Sequence, residues 1–184
     1  DVAGKPPVMS FTVDITDAEI FTALRAFILG VIGETVSVVR GQDNRVVEPA
    51  AADFVVLTQG ARTRLATTVA TYDVLDPLPT DMAYATATDV AIQIDVHGPN
   101  SADNVQAIVT LFRSTYGATA FPDDIRPMYC DPAQQVPFLN AENQYENRWV
   151  TTAHIQVTPT VSTPQAFAGS LAVEIALAVD LEPV

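Results

Sequence analysis

Leu171, Val173, Ile175, Leu177, Val179 and Leu181 occupy six successive odd positions, separated by Ala172, Glu174, Ala176, Ala178 and Asp180. A helix would scatter such a series around its axis, whereas a strand places it on one face. The chain must therefore build a sheet with an apolar side that something else covers. Tyr84–His97 repeats the pattern, with Val90, Ile92, Ile94 and Val96 alternating with Ala91, Gln93, Asp95 and His97. Gln144–Val157 does so again, placing Trp149, Thr151, Ala153, Ile155 and Val157 on one side.

Two segments carry the helical period that could cover this sheet. Thr16-Asp17-Ala18-Glu19 is a capping box, and Ile20, Leu24, Phe27, Ile28 and Val31 follow it at helical spacing. These residues predict a helix over 16–32, ended by Gly30 and Gly33. Asn100 or Ser101 caps a second helix with the stripe Val105, Ile108, Val109, Phe112 and Tyr116, stopped by Gly117. Between the helices, Thr35–Arg40 reads as a strand and Gly41–Arg45 as a turn, with a loose connection over Val46–Ala52. Asp53–Gln59 and Arg62–Val74 read as two strands of a hairpin around Gly60. Pro77 and Pro79 make 76–81 a loop, and 159–164 reads as a turn or extended link. The long stretch 119–143 is rich in Pro, Asp, Gln and Asn and holds one short apolar segment, Ile125–Cys130. Its length suggests a partner-facing role. The sum is one α+β domain: a mostly antiparallel sheet of five or six strands with two main helices.

Composition narrows the function classes. The 184 residues are 48% hydrophobic, which excludes disorder over most of the chain, yet no apolar run reaches the ~20 residues of a membrane-spanning helix. Nine Lys and Arg oppose 22 Asp and Glu, for a net charge of −13. That balance argues against a protein that grips nucleic acid through its phosphates. Cys130 is the sole cysteine, so no intramolecular disulfide forms, which fits assembly in a reducing cytoplasm. The N-terminus lacks a basic segment followed by an apolar core, so no secretory leader is expected.

Chemistry-bearing residues are sparse. His97 and His154 are the only histidines, at no metal-ligand spacing, and both fit polar positions on a sheet's outer face. Cys130 sits in an apolar stretch with Arg126 as its one basic neighbour, a poor setting for a reactive thiolate. The acid pairs Asp73/Asp76, Asp123/Asp124 and Glu142/Glu146 fit solvated surface better than acid–base catalysis. No phosphate-binding glycine motif is present, and the only lysine is Lys5. No catalytic residue, cofactor or metal is expected. Arg40, Arg45, Arg62, Arg64 and Arg148 stand out in so acidic a chain. They are expected to pair with acids, first within the subunit and next across subunit interfaces.

Four segments resemble a known family. They are Arg40–Val46 with Glu48-Pro49 and Asp53–Thr58; Arg62-Thr63-Arg64-Leu65; Ile94–Asn104 leading into Thr110-Leu111-Phe112-Arg113; and Pro137–Asn140 with Gln144–Trp149. Together they resemble the phage neck terminator family of tailed bacteriophages, from about Ile15 to Leu181. The resemblance implies a structural virion protein that caps the head-proximal end of the tail tube as a homo-oligomeric ring, usually a hexamer. Its implied partners are the tail tube protein and the head connector or adaptor proteins. Phage DNA would pass through the lumen without specific binding, and no membrane is involved. The implied location is the neck of the virion, after assembly in the host cytoplasm. An adaptor or tube protein is the nearest alternative; a small-ligand binding module or a hydrolase is further off. Residues 1–14 are then an N-terminal arm, and 15–184 a single terminator domain with 119–143 as a long loop or arm. The family brings no active site. Interface duty is expected of Arg40, Asn44, Arg45, Asn100 and Asp103 in the first and third motifs, and of Arg62, Arg64 and Arg148.

Overall fold

Thr16 caps the first helix as its capping box requires. Its hydroxyl accepts the Glu19 amide at 3.4 Å, and the Glu19 carboxylate accepts the Thr16 amide at 2.7 Å and the Thr16 hydroxyl at 2.8 Å. The computed structural model describes residues 11–42, 49, 51–72, 80–136, 138–139 and 145–165. In chain order its elements are β1 (Thr12–Val13), α1 (Asp17–Ile32), β2 (Ser37–Arg40), β3 (Phe54–Arg64), β4 (Val69–Tyr72), β5 (Thr80–Ala85) and β6 (Thr88–His97). There follow α2 (Ser101–Phe112), α3 (Thr115–Ala120), β7 (Ile125–Cys130), β8 (Gln134–Gln135), β9 (Phe138–Leu139), β10 (Tyr145–Glu146), β11 (Arg148–Val157) and β12 (Thr160–Gln165). The architecture is α+β, as the periodicities indicate.

The main sheet has the order β2-β3-β6-β11-β7, with β8 also paired to β11. Every pairing is antiparallel except that of β2 with β3. β6 lies at its centre, with Val90, Ile92, Ile94 and Val96 almost wholly buried. Register places Val55 and Leu57 of β3, and Thr151, Ala153 and Ile155 of β11, on the same face. There α1 and α2 cover them with Ile20, Leu24, Phe27, Ile28, Val105, Ile108 and Phe112. Phe27 anchors this layer, its ring 5.5 Å from that of Phe112 and 5.4 Å from that of Phe121.

The second sheet, β1-β12-β5-β4, continues the first. β3 runs on into β4, β5 into β6 and β11 into β12, each through a break of a few residues, at 65–68, 86–87 and 158–159. The order β11-β6-β3 reappears as β12-β5-β4. Three long strands thus leave the body and form an extension whose strands contact mostly one another.

Several expectations require correction. No hairpin forms at Gly60: Asp53–Gln59 and the start of Arg62–Val74 are one strand, β3, and the irregularity between Gln59 and Arg62 is a bulge in its pairing with β6. The expected strand Tyr84–His97 divides at Thr86-Ala87, where the chain passes between the sheets. The second helix ends at Phe112 instead of running to Gly117, because the Ser114 hydroxyl donates to the Leu111 carbonyl at 2.7 Å and caps the short α3. A Cβ at Gly117 would collide with the Phe112 carbonyl, so glycine is needed at this close approach. Residues 159–164 form most of β12 instead of a turn. The expected loop 119–143 contains β7, which pairs with β11 along one edge of the main sheet, as well as β8 and β9. The strand read at 171–181, residues 1–10 of the arm expected over 1–14 and residues 76–79 of the loop expected over 76–81 lie outside the described residues; of the remainder, Thr12 and Val13 pair with β12, and Thr80 and Asp81 open β5.

The cap supports two expected outcomes. Thr16→Ala removes the hydroxyl that caps α1 and should lower stability by about 1 kcal/mol in a chemical-denaturation series. Hydrogen bonds from the Thr16 amide and hydroxyl hold the Glu19 carboxyl below its ordinary value of 4.5. The folded state therefore gains from ionised Glu19 above that value and loses the gain as pH falls through the lowered one. Glu19→Gln should flatten the acid limb of the stability profile in that window.

Candidate functional site

At the end of the main sheet where β6 meets α2, sequence distance collapses into one joint. Gly98 has φ +108° and lies so close to the Ala52 carbonyl and the Asp53 carboxylate that any Cβ would collide with them. The tight turn this permits brings Asn100 onto Asp53, whose two carboxylate oxygens accept the Asn100 backbone amide at 3.0 Å and its side-chain amide at 2.7 Å. Asn100 therefore caps α2 by position but spends its side chain on Asp53, the residue just before β3. Beside this joint, Phe54 and His97 stack across the β3–β6 pair at 4.5 Å.

The face of the main sheet turned away from α1 and α2 carries two polar clusters. In the first, Arg148 opens β11 opposite His97 and reaches back to Asp95 Oδ1, at 3.0 Å from Nε and 2.6 Å from Nη2. Asp95 also accepts Gln93 Nε2 at 3.1 and 2.8 Å. The Asp95 side chain is only 5% exposed and that of Arg148 26%, so this is a largely desolvated ion pair. In the second cluster, His154 Nδ1 lies 2.8 Å from Asp89 Oδ2, its Nε2 lies 3.6 Å from Asp131 Oδ2, and Tyr129 stacks on the ring at 4.4 Å.

Cys130 does not join that histidine. It opposes Ala153, whose side chain is in the core, whereas His154 opposes Tyr129 on the other face. Directly opposed residues share a face, so the thiol and the imidazole project from opposite sides of the sheet. Burial, and secondarily the charge of Asp131, push the Cys130 thiol up to about 12, which keeps it protonated and weakly nucleophilic at neutral pH. Among the described residues no group of three or more His, Cys, Asp or Glu is arranged to hold a metal ion. None of their helices is long and apolar enough to cross a membrane.

The candidate interface residues do not converge on one site. Arg40 ends β2 with its guanidinium 4.3 Å from the Phe21 ring centroid, a cation–π contact on the body. Arg62 is paired with Asp17 in the first turn of α1. Arg64 is exposed at the end of β3, and Asp103 is exposed in the first turn of α2. Arg148 pairs with Asp95. Asn44 and Arg45 lie outside the described residues. Arg62 opposes Val90, whereas Arg148 opposes His97 on the same strand β6. At the rise of an extended strand, these positions are about 23 Å apart along the sheet. Sequence reading missed Asp53, Asp89, Asp95 and Asp131 as the acids that organise these clusters. Cross-strand register alone reveals them, although the alternation of Gln93 and Asp95 with Ile92 and Ile94 already placed both on the polar face.

Breaking the buried pair has a definite expected cost. Arg148→Met leaves the Asp95 carboxylate desolvated without its cation and should destabilise the domain by roughly 3 kcal/mol in urea unfolding. Arg148→Met combined with Asp95→Leu should recover most of that loss.

No curated protein matches the chain. The family model described as phage neck terminator protein matches residues 18–178, nearly the whole chain and the region in which the four motifs lie. An α+β fold in which Arg148 and His154 serve cross-strand pairing accompanies that match, and the chain belongs to the phage neck terminator family, structural proteins of the bacteriophage neck.

Proposed function

We propose that this protein closes the head-proximal end of the tail tube as a homo-oligomeric ring, a hexamer, and presents its opposite face to the head connector. The observation that carries this reading is the family match over residues 18–178. The tail tube protein and the connector or adaptor proteins are the partners, and the site of action is the neck of the assembled virion. No catalytic step belongs to this role, and the opposite orientations of Cys130 and His154 are consistent with that.

Two physical features support a ring. The chain has exposed sheet edges, which natural proteins pair or cover. A net charge of −13 suits a wall past which DNA slides, since phosphate-binding lysines and arginines would hold the genome in place. The joint of Asp53, Gly98 and Asn100 is a rigid corner that would keep α2 and the start of β3 in fixed relation while neighbours dock.

Immunogold labelling of intact virions with antibody to this chain tests the proposal. Gold confined to the head–tail junction is the expected outcome, with one ring's worth of copies per virion. Gold along the tail would replace the terminator reading with that of a tube protein, and virions without the chain would end it.

A further inference from the structure

Sheet register leaves one long edge open. β2 pairs with β3 only from Phe54 to Leu57, and β4 is the outermost strand of the second sheet. Along the same side of the molecule, from Thr58 through Tyr72, no described strand lies beside the backbone, and residues 60–71 are all exposed. Leu65 is 48% and Val69 58% exposed on this edge. An exposed sheet edge of this kind invites another strand.

The chain itself carries a segment whose sequence has a strand's period. β12 ends at Gln165, paired with Thr80 at the far end of the extension, and 19 residues, 166–184, follow it. Within them, 171–181 has the strict two-residue period described at the outset. Extended, these 11 residues span about 36 Å. The free side of β12 cannot take them. A chain turning back along it would oppose Gln165, Pro164 and Thr163, and then meet Thr12, which already pairs with Ser162. Only three of the 11 residues would find partners.

The Thr58–Tyr72 edge is long enough. It also matches in polarity. In the second sheet, Val13, Val161, Tyr84 and Ala70 form a cross-strand row on one face, and Thr12, Ser162, Ala83 and Thr71 form a row on the other. A strand added beside β4 would continue the apolar row with its odd-numbered side chains. Its even side, with Glu174 and Asp180, would share the face of Thr63, which pairs with Asp89.

We infer that segment 171–181 of one copy adds as a strand to the Thr58–Tyr72 edge of the next copy. This inference rests on the ring proposed above and names the contact that closes it. β12, from which the segment departs, and β4, which would receive it, lie on opposite sides of β5 in the second sheet. Donor and acceptor are therefore different surfaces of one protomer, a head-to-tail contact that generates a ring when the rotation closes. Backbone ladder bonds supply the attachment, and the apolar odd positions supply the buried surface.

Disulfide trapping between full-length chains tests this, all in a Cys130→Ala background. One chain carries Thr63→Cys. Its partners carry Glu174→Cys, Ala176→Cys or Ala178→Cys and a tag of different length, so that the mixed species is distinguishable from either self-pair. Cross-strand neighbours lie within disulfide range. Under mild oxidation at least one mixture should give a heterodimer band, favoured at one donor position over the other two. Moving the acceptor cysteine to Thr110→Cys, on the exposed side of α2, should abolish it. Full-length chain should also associate in solution, and a chain ending at Gln165 should lose that association while keeping its circular-dichroism signal. Absence of any heterodimer above the Thr110→Cys control would overturn the inference. So would a chain bearing both Thr63→Cys and Ala176→Cys that closes only within itself on dilution. Gold at the neck combined with either result would leave the terminator reading standing and remove only the strand exchange.

Discussion

The register of β6 is the constraint on which the molecule depends. Val90, Ile92, Ile94 and Val96 are sealed under α1 and α2 only because β3 and β11 align beside them in one specific pairing. A slip of one residue would turn all four to the other face and bring Ala91, Gln93 and Asp95 beneath the helices. Asp95 resists that slip from its own side. Its contact with Arg148 of β11 exists only in the native register. Apolar burial on one face and a desolvated ion pair on the other thus select the same alignment. The ion pair adds little net stability and much discrimination against a misaligned sheet, in keeping with the specificity role suggested for some buried polar pairs.

Elements whose signal is local could be read in advance. α1 combines a capping box, an unbroken stripe and terminal glycines, and all three act within a turn or two of the chain. β6 and β11 declare themselves by alternation. The misreadings arise where the deciding contact is remote. Gly60 resembles a hairpin turn, but continued pairing of β3 with β6 on both sides of the bulge keeps the chain extended. Thr86-Ala87 interrupts no hydrophobic pattern, yet it is where three neighbouring passages between the sheets coincide. β7 was hidden by its Pro127, which is tolerable at a sheet edge and misleading in a sequence.

The surface was less legible than the core for a related reason. Arginines in an acidic chain were expected to find acids, and Arg62 and Arg148 do so, but composition cannot say which acid. Asp17 meets Arg62 because α1 begins beside the bulge of β3, and Asp95 meets Arg148 because the two strands are neighbours. These are facts of topology. The same holds for Cys130 and His154, which a list of reactive residues would place together and a strand pairing places on opposite faces.

The passage of β3, β6 and β11 through both sheets also has a mechanical meaning. Their ladder bonds lie across the strands, so a pull applied along the extension loads many of them in shear at once instead of peeling them one by one. The extension and the body are thus joined by three strand passages that break together, at 65–68, 86–87 and 158–159. In the neck role proposed above, a part gains from transmitting axial load while yielding sideways, and continuous strands with a shared bend would provide that combination.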